Sequence, residues 1–267
     1  MLAILQYSFI ERGLIAGLII AIIAPLIGIF LVLRRYSLIA DTLSHVSFAG
    51  VALGFLLGIN PVITAILASV LSSVIIEKLR KTQRVYGESA LSLFLSGSLA
   101  VAIVLISLHH GFNANLSNYL FGSILTVQNS DLYLIAGAGL LVALSILLFF
   151  KELMFISFDE EAAQVSGIPV SVINTLFIIF AAVTVALAIP VVGVLLIAAL
   201  IVVPVLTAIQ FRKSFRITIL IAEAVSVISV FGGMFFSYYL DLSSGGTIVL
   251  FALLLFVLSL FWNQKAK

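Results

Sequence analysis

Apolar residues run along this chain in blocks of about 17–24 residues, each closed off by charged or turn-forming residues. The blocks fall at 13–33, 37–57, 61–77, 90–108, 131–150, 170–189, 191–211, 216–239 and 245–262. An α-helix of that length crosses the ~30 Å hydrocarbon layer of a bilayer. The pattern therefore predicts an all-α, polytopic helical membrane protein with nine transmembrane helices, or eight if one short run such as 61–77 does not cross fully. The stretch 170–211 holds no polar loop, and as a single helix it would be about 60 Å long. A break at Pro190 divides it into an outgoing and a returning helix.

Composition agrees. Of 267 residues, 63% are hydrophobic and 9% charged, against roughly 25% charged in a soluble domain, which excludes a soluble globular protein. The span 1–267 reads as one transmembrane domain with no soluble domain attached. The first block follows Glu11 and Arg12 and lacks the basic start and cleavage site of a signal peptide. With no cysteine, thiolate metal sites and disulfides are excluded, leaving His, Asp, Glu, carbonyls and water as metal ligands.

Charge placement sets the expected orientation. If Arg34 and Arg35 are cytoplasmic, alternation also puts Lys78, Arg80, Lys81, Arg84, Lys151, Arg212, Lys213, Arg216, Lys265 and Lys267 inside, and leaves only Arg12 of the 13 basic residues outside. By the positive-inside rule the N-terminus lies out and the C-terminus in.

Charged groups inside a span cost at least ~2.5 kcal/mol each and mark sites by default. Asp41 lies about 9 Å into the bilayer counted from Arg35, and Glu223 about 10 Å in counted from Arg216. His45 is one turn above Asp41 on the same helix face, so Asp41 and His45 offer a carboxylate and an imidazole converging on one point, with Ser37 and Ser44 nearby. That donor pair suits a divalent cation of the zinc or manganese kind. The plain alternatives are a helix cap or a self-satisfied Asp–His pair. Glu223 is either a third metal ligand at the same depth or a neutral glutamic acid bonded to a neighbouring helix. Pro204, about 12 Å from Arg212, frees a backbone carbonyl at that level and marks a helix break beside the pathway. Gly50 with Gly54, Gly97, Gly137 with Gly139, and Gly232 with Gly233 read as sites of close helix approach.

Two longer pieces lie between spans. The outer one, 109–130, carries His109 and His110, able to concentrate a cation at the mouth or to do nothing specific, and an apolar patch at 119–127. The inner one, 151–169, contains Asp159, Glu160 and Glu161 ahead of small residues and ends on Gly167, Ile168 and Pro169, a short helix stopped by Gly-x-Pro. Three consecutive acids suit a docking element better than a lipid anchor, since an anionic leaflet repels them; an ordinary solvated loop fits them as well.

Taken together these motifs resemble the membrane permease subunits of ABC-type zinc, manganese and iron importers, the ABC-3 family. The opening pattern is matched by Arg34-Arg35, Leu38, Asp41, Ser44, His45 and Ala49-Gly50, and the inner-loop pattern by Asp159, Glu161, Ala162, Gly167, Ile168 and Pro169. Later motifs are matched by Val192 to Leu196 with Pro204, and by Ser237-Tyr238, Asp241, Ser244-Gly245, Ile248 and Val249. The resemblance runs end to end; the departure is Ala49, where many members have proline. The run Leu38 to Val46 looks more like the zinc branch than the manganese branch.

The resemblance implies a homodimer in the plasma or inner membrane, cytoplasmic ATPase subunits docked on 151–169, and an extracytoplasmic binding protein that delivers the ion. It also implies no permanently bound cofactor, only a transported zinc or manganese ion. The chain has no phosphate-binding loop, so ATP hydrolysis must come from a partner and the chain itself is not expected to be an enzyme. The rival reading is a proton-coupled secondary metal transporter that uses Asp41, His45 and Glu223 as a proton relay. An intramembrane metalloprotease is excluded by the lack of a His-Glu-x-x-His helix.

Overall fold

The structure is a computed structural model that describes residues 8–82, 86–108, 114–123 and 127–264. Its helices are α1 (Ser8–Leu33), α2 (Leu38–Leu57), α3 (Pro61–Lys81), α4 (Gly87–Leu108), α5 (Ala114–Phe121), α6 (Asn129–Leu148), α7 (Phe150–Phe158), α8 (Glu160–Val165), α9 (Val170–Val192), α10 (Ile197–Gln210), α11 (Phe215–Leu240) and α12 (Ser244–Gln264). There is no strand among the described residues.

Among the described residues eight helices, α1, α2, α3, α4, α6, α9, α11 and α12, are long and apolar enough to cross a membrane. The ninth expected span differs. Helix α9 continues through Pro190 to Val192, and the chain breaks instead at Gly193, whose φ of 88° and ψ of 154° suit glycine. After Gly193 an irregular stretch leads into α10, which has only 14 residues, about 21 Å of helix. The irregular stretch is held at one end of the bundle, where Val194 N–H donates to the Tyr119 carbonyl (3.0 Å) and Leu195 N–H to that of Leu120 (3.3 Å). Past α10 the chain reaches Phe215, whose ring packs on Phe30 and Phe150 at the other end, with centroids 5.8 and 5.7 Å apart. The chain thus still passes from end to end between Val192 and Phe215, on a shortened helix.

Helices α1 and α9 are the most enclosed, which explains why both are apolar on every face. Helix α1 packs on α6, α9, α10 and α11; α2 packs chiefly on α3, α4 and α9. Helices α4 and α6 are peripheral and expose most of their apolar surface, as lipid-facing helices do. Glycines allow the close contacts: a Cβ at Gly50 would lie 2.7 Å from the Ala65 Cα, and at Gly233 2.5 Å from the Ile248 backbone nitrogen. The same reading of Gly97 and Gly137 does not hold within one chain, since both face open space.

The bundle has a basic end. Arg34, Arg80 and Lys81 sit there with α7, α8 and the start of α9. Phe30 meets Phe150 and Phe177 edge-on at 6.0 Å each and ties α1 to α7 and α9. At the opposite end, Arg12 donates to Asn129 (3.1 Å) and Asn60 donates to Asp131 (3.0 Å).

Candidate metal pathway and docking end

Four residues, 34–37, join α1 to α2. Tyr36 N–H returns to the Leu31 carbonyl at 2.8 Å and Arg35 N–H to that of Val32 at 3.0 Å, while Arg35 takes a left-handed φ of 56°. This tight turn starts α2 immediately and places Asp41 in its first turn.

Helix α2 is buried on most of its circumference: Ile39, Ala40, Thr42, Leu43, Ser44, Val46, Ser47 and Phe48 are all enclosed. A single stripe is left open, formed by Leu38, Asp41, His45, Ala49 and Leu53 at helical spacing. The side chain of Asp41 is 41% exposed and that of His45 is 14% exposed. The two are brought together as expected, with His45 Nε2 3.9 Å from Asp41 Oδ1. That separation is too long for a hydrogen bond, and His45 Nδ1 is buried with no hydrogen-bond partner. A self-satisfied pair is therefore not what the geometry presents: the imidazole has capacity left for a ligand. Ser44 does not join in, because its hydroxyl donates to the Asp41 carbonyl (2.7 Å) on the buried side.

Glu223 is half-buried on α11, which packs on α1, α10 and α12. Helix α10 packs on both α2 and α11. Among the described residues no three His, Asp or Glu side chains gather closely enough to hold a metal ion, so one chain brings Asp41 and His45 together but not Glu223 with them. Pro204 is buried inside α10, and the helix runs on through it to Gln210. It removes the bond that the Leu200 carbonyl would accept, while the interruption itself lies upstream at Gly193–Leu196. His109 and His110 lie outside the described residues.

The inner segment forms the short helix expected of it. Asp159 caps α8 by accepting from Ala162 N–H (2.9 Å). Gly167 turns the chain with φ 85°, and Ile168 N–H bonds the Ala163 carbonyl (3.2 Å). Pro169 then precedes α9. Ala163 is buried, whereas Glu160, Glu161, Gln164 and Val165 are exposed, Val165 by 90%. The short helix thus turns its acids and an uncovered valine outward and its Ala163 inward.

Sequence reading missed the polar groups that knit the basic end together. Glu77 of α3 is 1% exposed and takes a bidentate pair of bonds from Arg80, at 3.0 and 3.1 Å. Lys81 Nζ bonds the Ser171 carbonyl, Ser171 Oγ and Thr175 Oγ1 of α9, at 2.8–2.9 Å. Arg34 donates to Ser157 Oγ (3.0 Å) and Asn174 Oδ1 (2.8 Å), and its guanidinium lies 5.0 Å from the centre of the Phe177 ring. Burial lowers the Arg34 pKa to about 10, with Glu160 the main opposing influence. A signal for Asn174 existed: it is the one amide in the otherwise apolar run 170–189. Asp131, also missed, is buried at the opposite end, where it accepts from Asn60 and from Gln128 N–H.

A helical bundle with eight membrane-length helices among the described residues, a carboxylate–imidazole pair on one open stripe and an exposed acidic helix at its basic end is a multi-pass membrane protein. Comparison with known proteins gives the family: residues 6–263 match the ABC 3 transport family, and the chain belongs to it. It is 36% identical over 98% of its length to the manganese import system permease protein ScaB of Streptococcus gordonii, covering 94% of that protein. It is 31% identical over 97% of its length to the high-affinity zinc uptake system membrane protein ZnuB of Haemophilus influenzae, covering all of it. Among solved structures it resembles PsaBC from Streptococcus pneumoniae, determined in complex with Fab, with TM-score 0.87 and 31% identity over 97% of this chain and 95% of that one.

Proposed function

We propose that this chain is the permease subunit of an ABC importer, works as a pair of identical copies, and moves a divalent transition-metal ion into the cytoplasm past Asp41 and His45. The observation that carries this reading is the open stripe on α2. A carboxylate and an imidazole on an uncovered helix face are costly against lipid, and a second copy laid on that face covers them. Two copies then offer two carboxylates and two imidazoles, a mixed oxygen and nitrogen set that zinc and manganese both accept. Weak, exchangeable ligation of this kind suits passage better than storage.

The basic end is the cytoplasmic side under the positive-inside rule. There α8, with Asp159, Glu160, Glu161 and the Gly167-Ile168-Pro169 turn, receives an ATPase subunit that supplies the hydrolysis this chain is not built for. The opposite end receives the ion from an extracytoplasmic binding protein. Membership in an ABC family supports ATP-driven import over the proton-coupled alternative. The Leu38–Val46 run favours zinc, and ScaB, named for manganese import, is the relative quoted with the higher identity; the donor set serves either metal. The test is uptake of radiolabelled zinc and manganese by cells that lack this chain and by the same cells with it restored. Restored uptake of one or both metals is expected, and restoration of neither overturns the reading.

A further inference from the structure

Resting on that reading, we propose that Asn174 is the joint of a side-chain relay, Glu160–Asn174–Arg34, that delivers displacement of the docking helix α8 to the turn from which α2 and its Asp41–His45 pair start. The relay begins on exposed α8, where Glu160 Oε1 accepts from Asn174 Nδ2 at 3.1 Å. It crosses α9 through the buried Asn174 amide, whose Oδ1 accepts from Arg34 Nη1 at 2.8 Å. It ends at Arg34, seven residues from Asp41, in the four-residue turn between α1 and α2.

Along the backbone, Glu160 and Arg34 are more than a hundred residues apart; through these three side chains they are two hydrogen bonds apart. The amide has only one usable orientation: turned over, it would set its NH2 group against the guanidinium and its oxygen against the carboxylate. Both ends are charge-assisted, which makes these bonds stronger than those between neutral groups. Asn174 is 3% exposed and is the one amide in α9, whose other polar side chains are the hydroxyls of Ser171, Thr175 and Thr184; leucine there would satisfy packing alone, so the amide is placed there for its two bonds.

Arg34 is fixed from the side by Ser157 and by the face of Phe177. A pull through Asn174 is therefore resisted there and passes to the turn instead. Arg34 Nη2 is buried without a partner, leaving the guanidinium that nitrogen's two N–H donors with which to take an acceptor that moves in. Asn174 is thus a positioning residue, touching neither the ion nor the ATPase.

The test uses the whole transporter, permease with its ATPase and binding protein, in liposomes, with zinc and manganese each as the transported ion. Ions accumulated and ATP hydrolysed are measured separately for wild type, Asn174→Leu, Glu160→Ala and the double variant. Asn174→Leu is expected to keep ATP hydrolysis while ions per ATP fall about tenfold. The double variant is expected to be no worse than the more affected single one, because both cut the same chain. Wild-type ions per ATP in Asn174→Leu, or losses that multiply in the double variant, overturn the relay. If leucine at 174 blocks assembly, the same cycle is run with Glu160→Ala and Arg34→Lys, whose ammonium lacks the planar fork, and judged by the same criterion. A wild-type transporter that hydrolyses ATP yet imports neither metal defeats the functional reading itself, an outcome distinct from failure of the relay.

Discussion

Replacing Gly193 with alanine removes the device that ends α9 and lets the chain turn back on a short helix. At φ 88° and ψ 154°, the backbone lies in a region that essentially only glycine occupies, and an L side chain there costs about 1–3 kcal/mol. The added Cβ would also meet backbone atoms of α5 and its C-terminal side, lying 2.5 Å from the Leu120 carbonyl oxygen and from the Phe121 carbonyl carbon. Backbone cannot swing away as a flexible side chain does, so overpacking adds about 1–3 kcal/mol. Together the cost is about 2–6 kcal/mol, and at about 2–4 °C per kcal/mol for a chain of this size the melting midpoint falls by roughly 4–24 °C. The assay is thermal unfolding of the purified protein in detergent, followed by far-UV circular dichroism. Gly137→Ala is the control, since its Cβ would meet nothing within 4 Å in the middle of α6, and helix propensity makes it neutral or slightly stabilising. A Gly193→Ala protein that melts with wild type and Gly137→Ala would refute the reasoning.

Two further predictions concern the docking segment and the second carboxylate. Gly167→Val is expected to leave ATPase binding intact but lower uptake per ATP, because φ 85° strains the turn into α9 although nothing crowds it; reconstituted transport with a wild-type rate contradicts this. Glu223→Gln is expected to keep uptake within about twofold of wild type, as a change of no more than about 0.5 kcal/mol implies, because Glu223 does not gather with Asp41 and His45 among the described residues; a loss of uptake as deep as that of an Asp41 variant would return Glu223 to the site.

The eight long helices were legible because their cause is local. Charges and turn residues end each apolar block, and the expected 37–57 and 61–77 correspond to Leu38–Leu57 and Pro61–Lys81. Asp41 and His45 were legible for a similar reason, since a single helix period places both on one face. The position of the break after α9 was not. Pro190 is the stronger local signal, but a proline in the last turn is tolerated when packing holds the helix, and the residue that turns is Gly193, set against the backbone of Leu120 to Gly122 at the end of α5. Helix α5 was also missed, since it lies in a segment without span-length periodicity and is fixed by backbone bonds from Val194 and Leu195. The basic-end network escaped for a third reason. Glu77 on α3, Asn174 on α9 and Arg34 in the turn after α1 lie far apart in sequence, and only tertiary packing shows that they meet the same group of side chains.

The central claim is that Asp41 and His45 form the passage for the ion. Its most direct test is zinc and manganese uptake by cells whose only copy of the chain carries Asp41→Asn or His45→Ala, with the amount of inserted protein measured in the same membranes. Asn keeps the shape of Asp while removing its charge, and Ala removes the imidazole from a stripe whose one other metal donor is Asp41. Uptake at the background of cells lacking the chain, with insertion at the wild-type level, is the expected result; wild-type uptake by both variants would contradict the account.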